Sequence, residues 1–475
     1  MPPVAPVTRA VLPVRLNILI APPFRGRGLT EPASYRQKER PMDRNRLIAS
    51  RRSLLLGVGA LGVSGGLAGC GTVGLPFGGG GSAPAIRGLD RLPRSQTVLN
   101  RFVSERRLPG VSVGVRAPDG SDIFIQAGTL DFNVFDRVGP DSLFRIFSMT
   151  KPITGTAAAL LIEDGKLTLD TPVADIVPEF ADLKVATNPE RGLAGRPARN
   201  VMTIRHLLTH TSGLSYSIAG DGPVPRAYRE AGLTPGAPGG DSNQVRDLDE
   251  LVRKLGDLPL IAEPGTAYHY SLSLDVLGLV IQRVSGMAFP DFVQRRILNP
   301  VGMRDTVWRL RDGDAARLMQ VYAFGRDGRN PPSVMPGLSA EDYSAPVTLY
   351  SGGGGLISST RDYLDFLSML LRDGRAGRVR VMKPETARLI HTDILPEGLT
   401  AEGGGYGFGG WIARPGHRRQ GEFGWSGAAG TQGWIDPEKN FAATMMIQAM
   451  PYRAVDILTE LRPALDADLG IERAG

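Results

Sequence analysis

Ser148-Met149-Thr150-Lys151 places a hydroxyl and an amine three residues apart. On a helix, positions i and i+3 share a face, so the amine reaches the hydroxyl. Ile153, Ala157, Leu160 and Leu161 recur at helical spacing and predict a helix from near Ser148 to Gly165. The free N–H groups and dipole at its start favour an alkoxide and can hold an oxyanion. A serine hydroxyl is a poor nucleophile without a base, and an amine held out of water gives up its proton more readily. Seven of the 55 basic residues are Lys and the rest Arg, which cannot take a proton, so a Lys here is chemically pointed. An ordinary Ser cap followed by a surface Lys fits the same four residues. With 26 Ser in the chain the pair alone does not separate the two readings.

The elements around this pair follow from periodicity. A helix is predicted over about Arg94–Arg107 from Leu99, Phe102 and Val103. Val111, Val113 and Val115 alternate as a strand, and Pro118-Asp119-Gly120 turns into a second strand around Ile123–Gln126. Leu277, Val280, Ile281 and Val284 mark a helix with Asp275 in its first turn. Residues 187–245 are rich in Gly, Pro and Arg and read as long surface excursions. Gly430–Ile435 and Phe441–Gln448 flank the turn 436–440 as a hairpin, and a last helix covers about Ala454–Leu465. Strands at both ends with helices between predict one α+β unit, its sheet joining the N- and C-terminal parts around a helical insertion.

The wider segment Phe144-Arg145-Ile146-Phe147-Ser148-Met149-Thr150-Lys151-Pro152-Ile153-Thr154 resembles the active-site segment of the serine beta-lactamase-related superfamily. That superfamily holds class C beta-lactamases, DD-peptidases and family VIII carboxylesterases. The likeness continues in order through Asp164–Val173, Ile204–Leu214, Pro264-Gly265, Tyr268–Ser271 and Gly352–Ser359, covering about 95–460. It implies an antiparallel sheet flanked by helices, a mostly helical second lobe and a cleft between them. It also implies that Tyr270, in Tyr270-Ser271-Leu272, is the general base assisted by Lys151. Leu272 stands where lactam-cleaving relatives carry an Asn that holds the substrate amide. Gly424-Trp425-Ser426-Gly427-Ala428 matches the position of their Lys-Thr-Gly, so Trp425 replaces a cation that would meet a substrate carboxylate. An indole offers a flat apolar wall with one donor, better suited to a neutral ester. By the same resemblance the backbone N–H groups of Ser148 and Ala428 form the oxyanion hole, and Trp425, Ser426, Gly427 and Leu272 contact substrate. His206 and His210 lie four apart, but no Glu separates them as in a zinc-binding helix, and no metal or cofactor is expected. His269 borders Tyr270 and could line the cleft. The glycine run 352–355 lacks the Lys-Ser/Thr of a phosphate-binding loop and reads as a bend beside the cleft.

The net charge of +7 divides unevenly. Residues 1–70 carry 11 basic and 3 acidic side chains, and the remainder 44 and 45. The body therefore has no electrostatic case for binding nucleic acid. Arg51-Arg52, an uncharged stretch from Ser53 to Gly69 and Leu67-Ala68-Gly69-Cys70 read as a twin-arginine lipoprotein signal over 42–70, with Cys70 as the lipidated residue. Cys70 is the one cysteine, so no internal disulfide or cysteine zinc cluster can form. Residues 1–41 read as an extension upstream of a true start at Met42, 71–86 as a Gly-rich tether, and 87–475 as the hydrolase domain. A G-x-G-x-x-G at 57–62 and a G-x-S-x-G at 62–66 fall inside the leader and are discounted.

The expectation is an exported, periplasmic, lipid-anchored serine hydrolase that cleaves a small-molecule carboxylic ester through an acyl-enzyme on Ser148. Three alternatives stay open: a beta-lactamase or DD-peptidase, an acyltransferase, and a cell-envelope binding protein without catalysis.

Overall fold

The computed structural model describes residues 90–234, 245–325, 332–451 and 455–473. Cys70, the signal and the tether lie outside them. Seven strands form the main sheet: β1 (Gly110–Arg116), β2 (Asp122–Gly128), β3 (Gly405–Tyr406), β4 (Trp411–Ile412), β5 (Phe423–Ser426), β6 (Gln432–Asp436) and β7 (Phe441–Met446). Their order is β3-β4-β5-β6-β7-β1-β2, with every neighbouring pair antiparallel. β1 therefore joins the C-terminal strands to the N-terminal hairpin, with Ser112 opposite Met446.

Alternation along the strands separates two cores. Val111, Val113 and Val115 of β1 and Phe441, Ala443 and Met445 of β7 pack with Leu99 and Phe102 of helix α1 (Pro93–Ser104) and with Leu461 and Leu465 near the C-terminus. The other face meets helix α2 (Thr150–Glu163) and helix α4 (Thr360–Leu371), and helix α3 (Ser273–Ser285) packs on α2 in the same core. Gly114 makes room there: a Cβ on it would lie 3.1 Å from Thr360 and 3.3 Å from Leu364. The last helix, α5 (Leu458–Leu469), lies against α1, and Asp468 accepts from the Ser95 N–H and hydroxyl at 2.8 Å.

Three expectations are corrected. The stretch 187–245 is not all surface: among its described residues Ile204, Leu207, Leu208, Leu214, Tyr216 and Tyr228 are buried core residues of the helical lobe. Averaged composition hid this short apolar run, whose Gly213 (φ +79°) passes so close to the Ala262 carbonyl that no side chain fits. α5 starts and ends about four residues later than the apolar pattern indicates, and Gly470 (φ +66°) closes it. The helix after Ser148 does not begin at the serine. A single 3-10 turn, Phe147–Met149, carries the serine into α2. From Thr150 through Leu161 α2 is buried on all sides, the position of a helix packed between two layers.

Candidate active site

A three-residue ladder sets up the nucleophile. Leu143–Arg145 pairs with Ile357–Ser359, and the chain then turns through Phe147 at φ 43°. A bulky residue in the left-handed region is strained, and such strain persists where surrounding packing over-determines it. It places Ser148 at the wall of a cavity of about 400 Å³. Arg145, 1% exposed, braces this turn by donating to the carbonyls of Met319 (2.8 Å) and Leu338.

The three side chains expected to meet do so. Tyr270 Oη donates to Ser148 Oγ at 2.6 Å, and Lys151 Nζ donates to Ser148 Oγ at 3.2 Å. Lys151 is fully buried, and its Nζ lies 4.6 Å from the centre of the Tyr270 ring. A second donation from Nζ, to the Gly353 carbonyl at 2.6 Å, holds the amine from behind. Tyr270 comes from the segment just before α3, and Leu272 is the N-cap of that helix. Leu272, Trp425, Ser426, Gly427 and Ala428 all line the cavity with Ser148 and Tyr270.

Gly427 ends β5. A side chain there would run into Thr431 and the Ile146 carbonyl, so only glycine lets this strand end approach the nucleophile turn. Its N–H donates to the Thr431 carbonyl at 2.8 Å, closing the turn that carries Ala428. Trp425 packs its indole 5.7 Å from Tyr270 and 5.2 Å from Tyr406, centre to centre. Tyr216 stands edge-on to Tyr270 at 5.6 Å. Burial pushes the phenols of Tyr216, Tyr268 and Tyr406 well above their ordinary value, so these three stay neutral.

His210 and His206 serve separate ends. His206 Nδ1 accepts from the Thr203 N–H at 3.2 Å and caps a short helix. His210 is buried with its ring 4.7 Å from Tyr270, and its Nδ1 accepts from the Ser271 N–H at 3.2 Å. Burial holds its imidazole well below the usual range, and the neutral ring carries its proton on Nε2. His269 does not line the cavity among the described residues; its N–H donates to the His210 carbonyl.

Sequence reasoning missed Asp275. It reads as an ordinary first-turn acid, yet it is buried at the cavity wall, where Ser351 Oγ and the Gly353 N–H donate to its Oδ1. The bend at 352–355 is the signal that could have found it, since Gly352 and Gly353 press against the start of α3 where a side chain would collide.

The family model for Beta-lactamase matches residues 96–465. The chain belongs to the beta-lactamase family. Esterase EstB of Burkholderia gladioli is 34% identical over 332 residues, which cover 66% of this chain and 78% of EstB. Monacolin J acid methylbutanoyltransferase of Aspergillus terreus is 27% identical over 326 residues, 66% of this chain and 73% of the relative. The solved structure of EstCE1, a hydrolase with promiscuous acyltransferase activity, superposes with a TM-score of 0.67 at 25% identity, over 80% of this chain and 100% of that one. The fold is the mixed α+β one of this family, and membership makes the protein a serine hydrolase or acyl-transfer enzyme in general class.

Proposed function

We propose that this family member is a carboxylesterase acting through an acyl-enzyme on Ser148. Ser148 Oγ attacks the ester carbonyl carbon, and its proton passes to Tyr270 Oη, acting as the base, along the 2.6 Å contact. Lys151, buried beside both, favours the phenolate by its charge. The carbonyl oxygen becomes an oxyanion against the backbone N–H groups of Ser148 and Ala428. Collapse breaks the bond to the alkoxide, which takes the proton from Tyr270 and leaves as the alcohol. Water then repeats the sequence on the acyl-enzyme and releases the acid.

The observation that carries the ester preference is the chemistry of the cavity wall. The described residues lining it include Trp425 and Leu272 but no Lys, Arg or His, and its ionisable carboxyls are Asp275 and Glu402. No described residue of the lining offers a substrate carboxylate a cation, so it would enter at a desolvation cost. Transfer of the acyl group to an alcohol instead of water is the second reading. It is favoured by the acyltransferase among the relatives and by a cavity with room for an acceptor beside the acyl group.

A panel of nitrophenyl esters and a chromogenic cephalosporin tests both, run with and without added alcohol. Ester turnover is expected to exceed lactam turnover, and Ser148→Ala or Tyr270→Phe to lower it by at least about two orders of magnitude. A cephalosporin turned over faster than any ester would overturn the ester reading. Export and anchoring through Cys70 belong to the same proposal and rest on Arg51-Arg52 and Leu67–Cys70. Labelling cells with radioactive palmitate should mark the protein and leave Cys70→Ala unlabelled.

A further inference from the structure

Lys151 is a fully buried amine, and what fixes it decides whether it stays on Ser148. Its second hydrogen bond goes to a glycine carbonyl, and a glycine peptide turns over easily unless something holds it. Something does. Asp275 Oδ1 accepts from the Gly353 N–H at 3.1 Å and also from the Ser351 hydroxyl, so both ends of the bend are tied to one oxygen. The approach is close by design of the sequence: a Cβ on Gly353 would lie 2.5 Å from Asp275 Oδ2. That second oxygen is buried and has no hydrogen-bond partner among the described residues. An unpartnered buried carboxyl oxygen costs stability. The carboxyl group does for the bend what a backbone ladder does elsewhere.

We propose that Asp275 is a positioning residue for the acylation step: it clamps the 351–353 bend so that the Gly353 carbonyl holds Lys151 against Ser148. This rests on the Ser148–Lys151–Tyr270 reading and extends it by one layer. Asp275 touches neither Ser148 nor Tyr270 and transfers no proton; it acts through the peptide between it and the amine.

The test uses the full-length enzyme and a nitrophenyl ester. Asp275→Ala removes the acceptor and should lower kcat about 100-fold, the loss a small misplacement of a reacting group brings, with KM within about threefold. Asp275→Asn keeps an acceptor oxygen in place and should restore kcat to within about fivefold of the parent, a rescue that bulk loss of packing would not give. Ser351→Ala removes one of the two donors and should lower kcat about three- to tenfold at unchanged KM, and it serves alone if the Ala variant at 275 does not fold. The inference is overturned if folded Asp275→Ala keeps kcat within threefold, if the Asn variant is no better than Ala, or, where Ala does not fold, if Ser351→Ala has full kcat. Lys151→Ala and Tyr270→Phe run in parallel separate the two levels: if these keep full turnover, the base reading itself fails, whereas if they lose it and Asp275→Ala does not, only the clamp is wrong.

Discussion

In the proposed ester reading, Trp425 sets what the cavity accepts. Its indole presses on Tyr270 and Tyr406, at the position that the family resemblance aligns with a lysine. A single charge-assisted hydrogen bond to a carboxylate is worth about 1.5–3 kcal/mol net. Trp425→Lys should therefore lower KM for a carboxylate-bearing cephalosporin by about tenfold or more relative to the parent, while ester turnover falls as the aromatic wall is lost. Unchanged relative KM values in a side-by-side assay would show that residue 425 does not set this preference.

At the level of elements, the site depends on three approaches that only glycine permits: Gly427 on the nucleophile turn, Gly353 on Asp275 and Gly155 of α2 on the Phe408 carbonyl. Gly427→Ala should drive the end of β5 away from Ile146 and lower kcat about 100-fold, with near-ultraviolet circular dichroism unchanged because the strand pairing upstream is untouched. A variant with full kcat would mean that the strand end relaxes without moving Ala428. These approaches also mark how far the sequence could be read. Ser148 and Lys151 were legible because their relation is local, three residues apart across the 3-10 turn and the first turn of α2. β1, β2 and the β6–β7 hairpin were legible because alternation and turn residues are local too. Tyr270, more than a hundred positions from Ser148, came only from resemblance to a family. Asp275 was seen in its local role as an acid at a helix start, while its partners Ser351 and Gly353 lie far along the chain. The buried run within 187–245 was lost because glycine and proline nearby set the average. α2 was read from Ile153, Ala157, Leu160 and Leu161 alone, while its Thr and Ala positions are small enough to be buried as well.

For the molecule as a whole, acid is the weakness. Burial pushes the imidazoles of His206, His210, His269 and His391 below their ordinary value. In the unfolded chain these rings take protons near pH 6.5. Below that pH the unfolded state binds more protons than the native one, so stability is full above about 6.5 and falls as pH drops. His210, completely buried, contributes a slope of up to about 1.4 kcal/mol per pH unit in this window. Asp362, raised to about 6 by burial, works the other way: the native state protonates it first, and falling pH from about 6 relieves its cost. The melting temperature should thus drop most steeply just below pH 6.5. His210→Phe should flatten that drop, as followed by thermal scans at several pH values; an identical slope would remove His210 from the account.

The pairing of β1 with β7 has a consequence for biosynthesis. A nascent chain that has emerged as far as α4 already carries the alcohol, the amine and the phenol of the site. Yet β1 still lacks the neighbour on its second edge, because Phe441–Met446 has not been made. Until then an apolar, fully formed hairpin shows a bare row of peptide N–H and C=O groups, a template for adhesion to any other extended chain. Premature termination before Phe441–Met446 is made would therefore release a half-sheet with this edge of β1 bare.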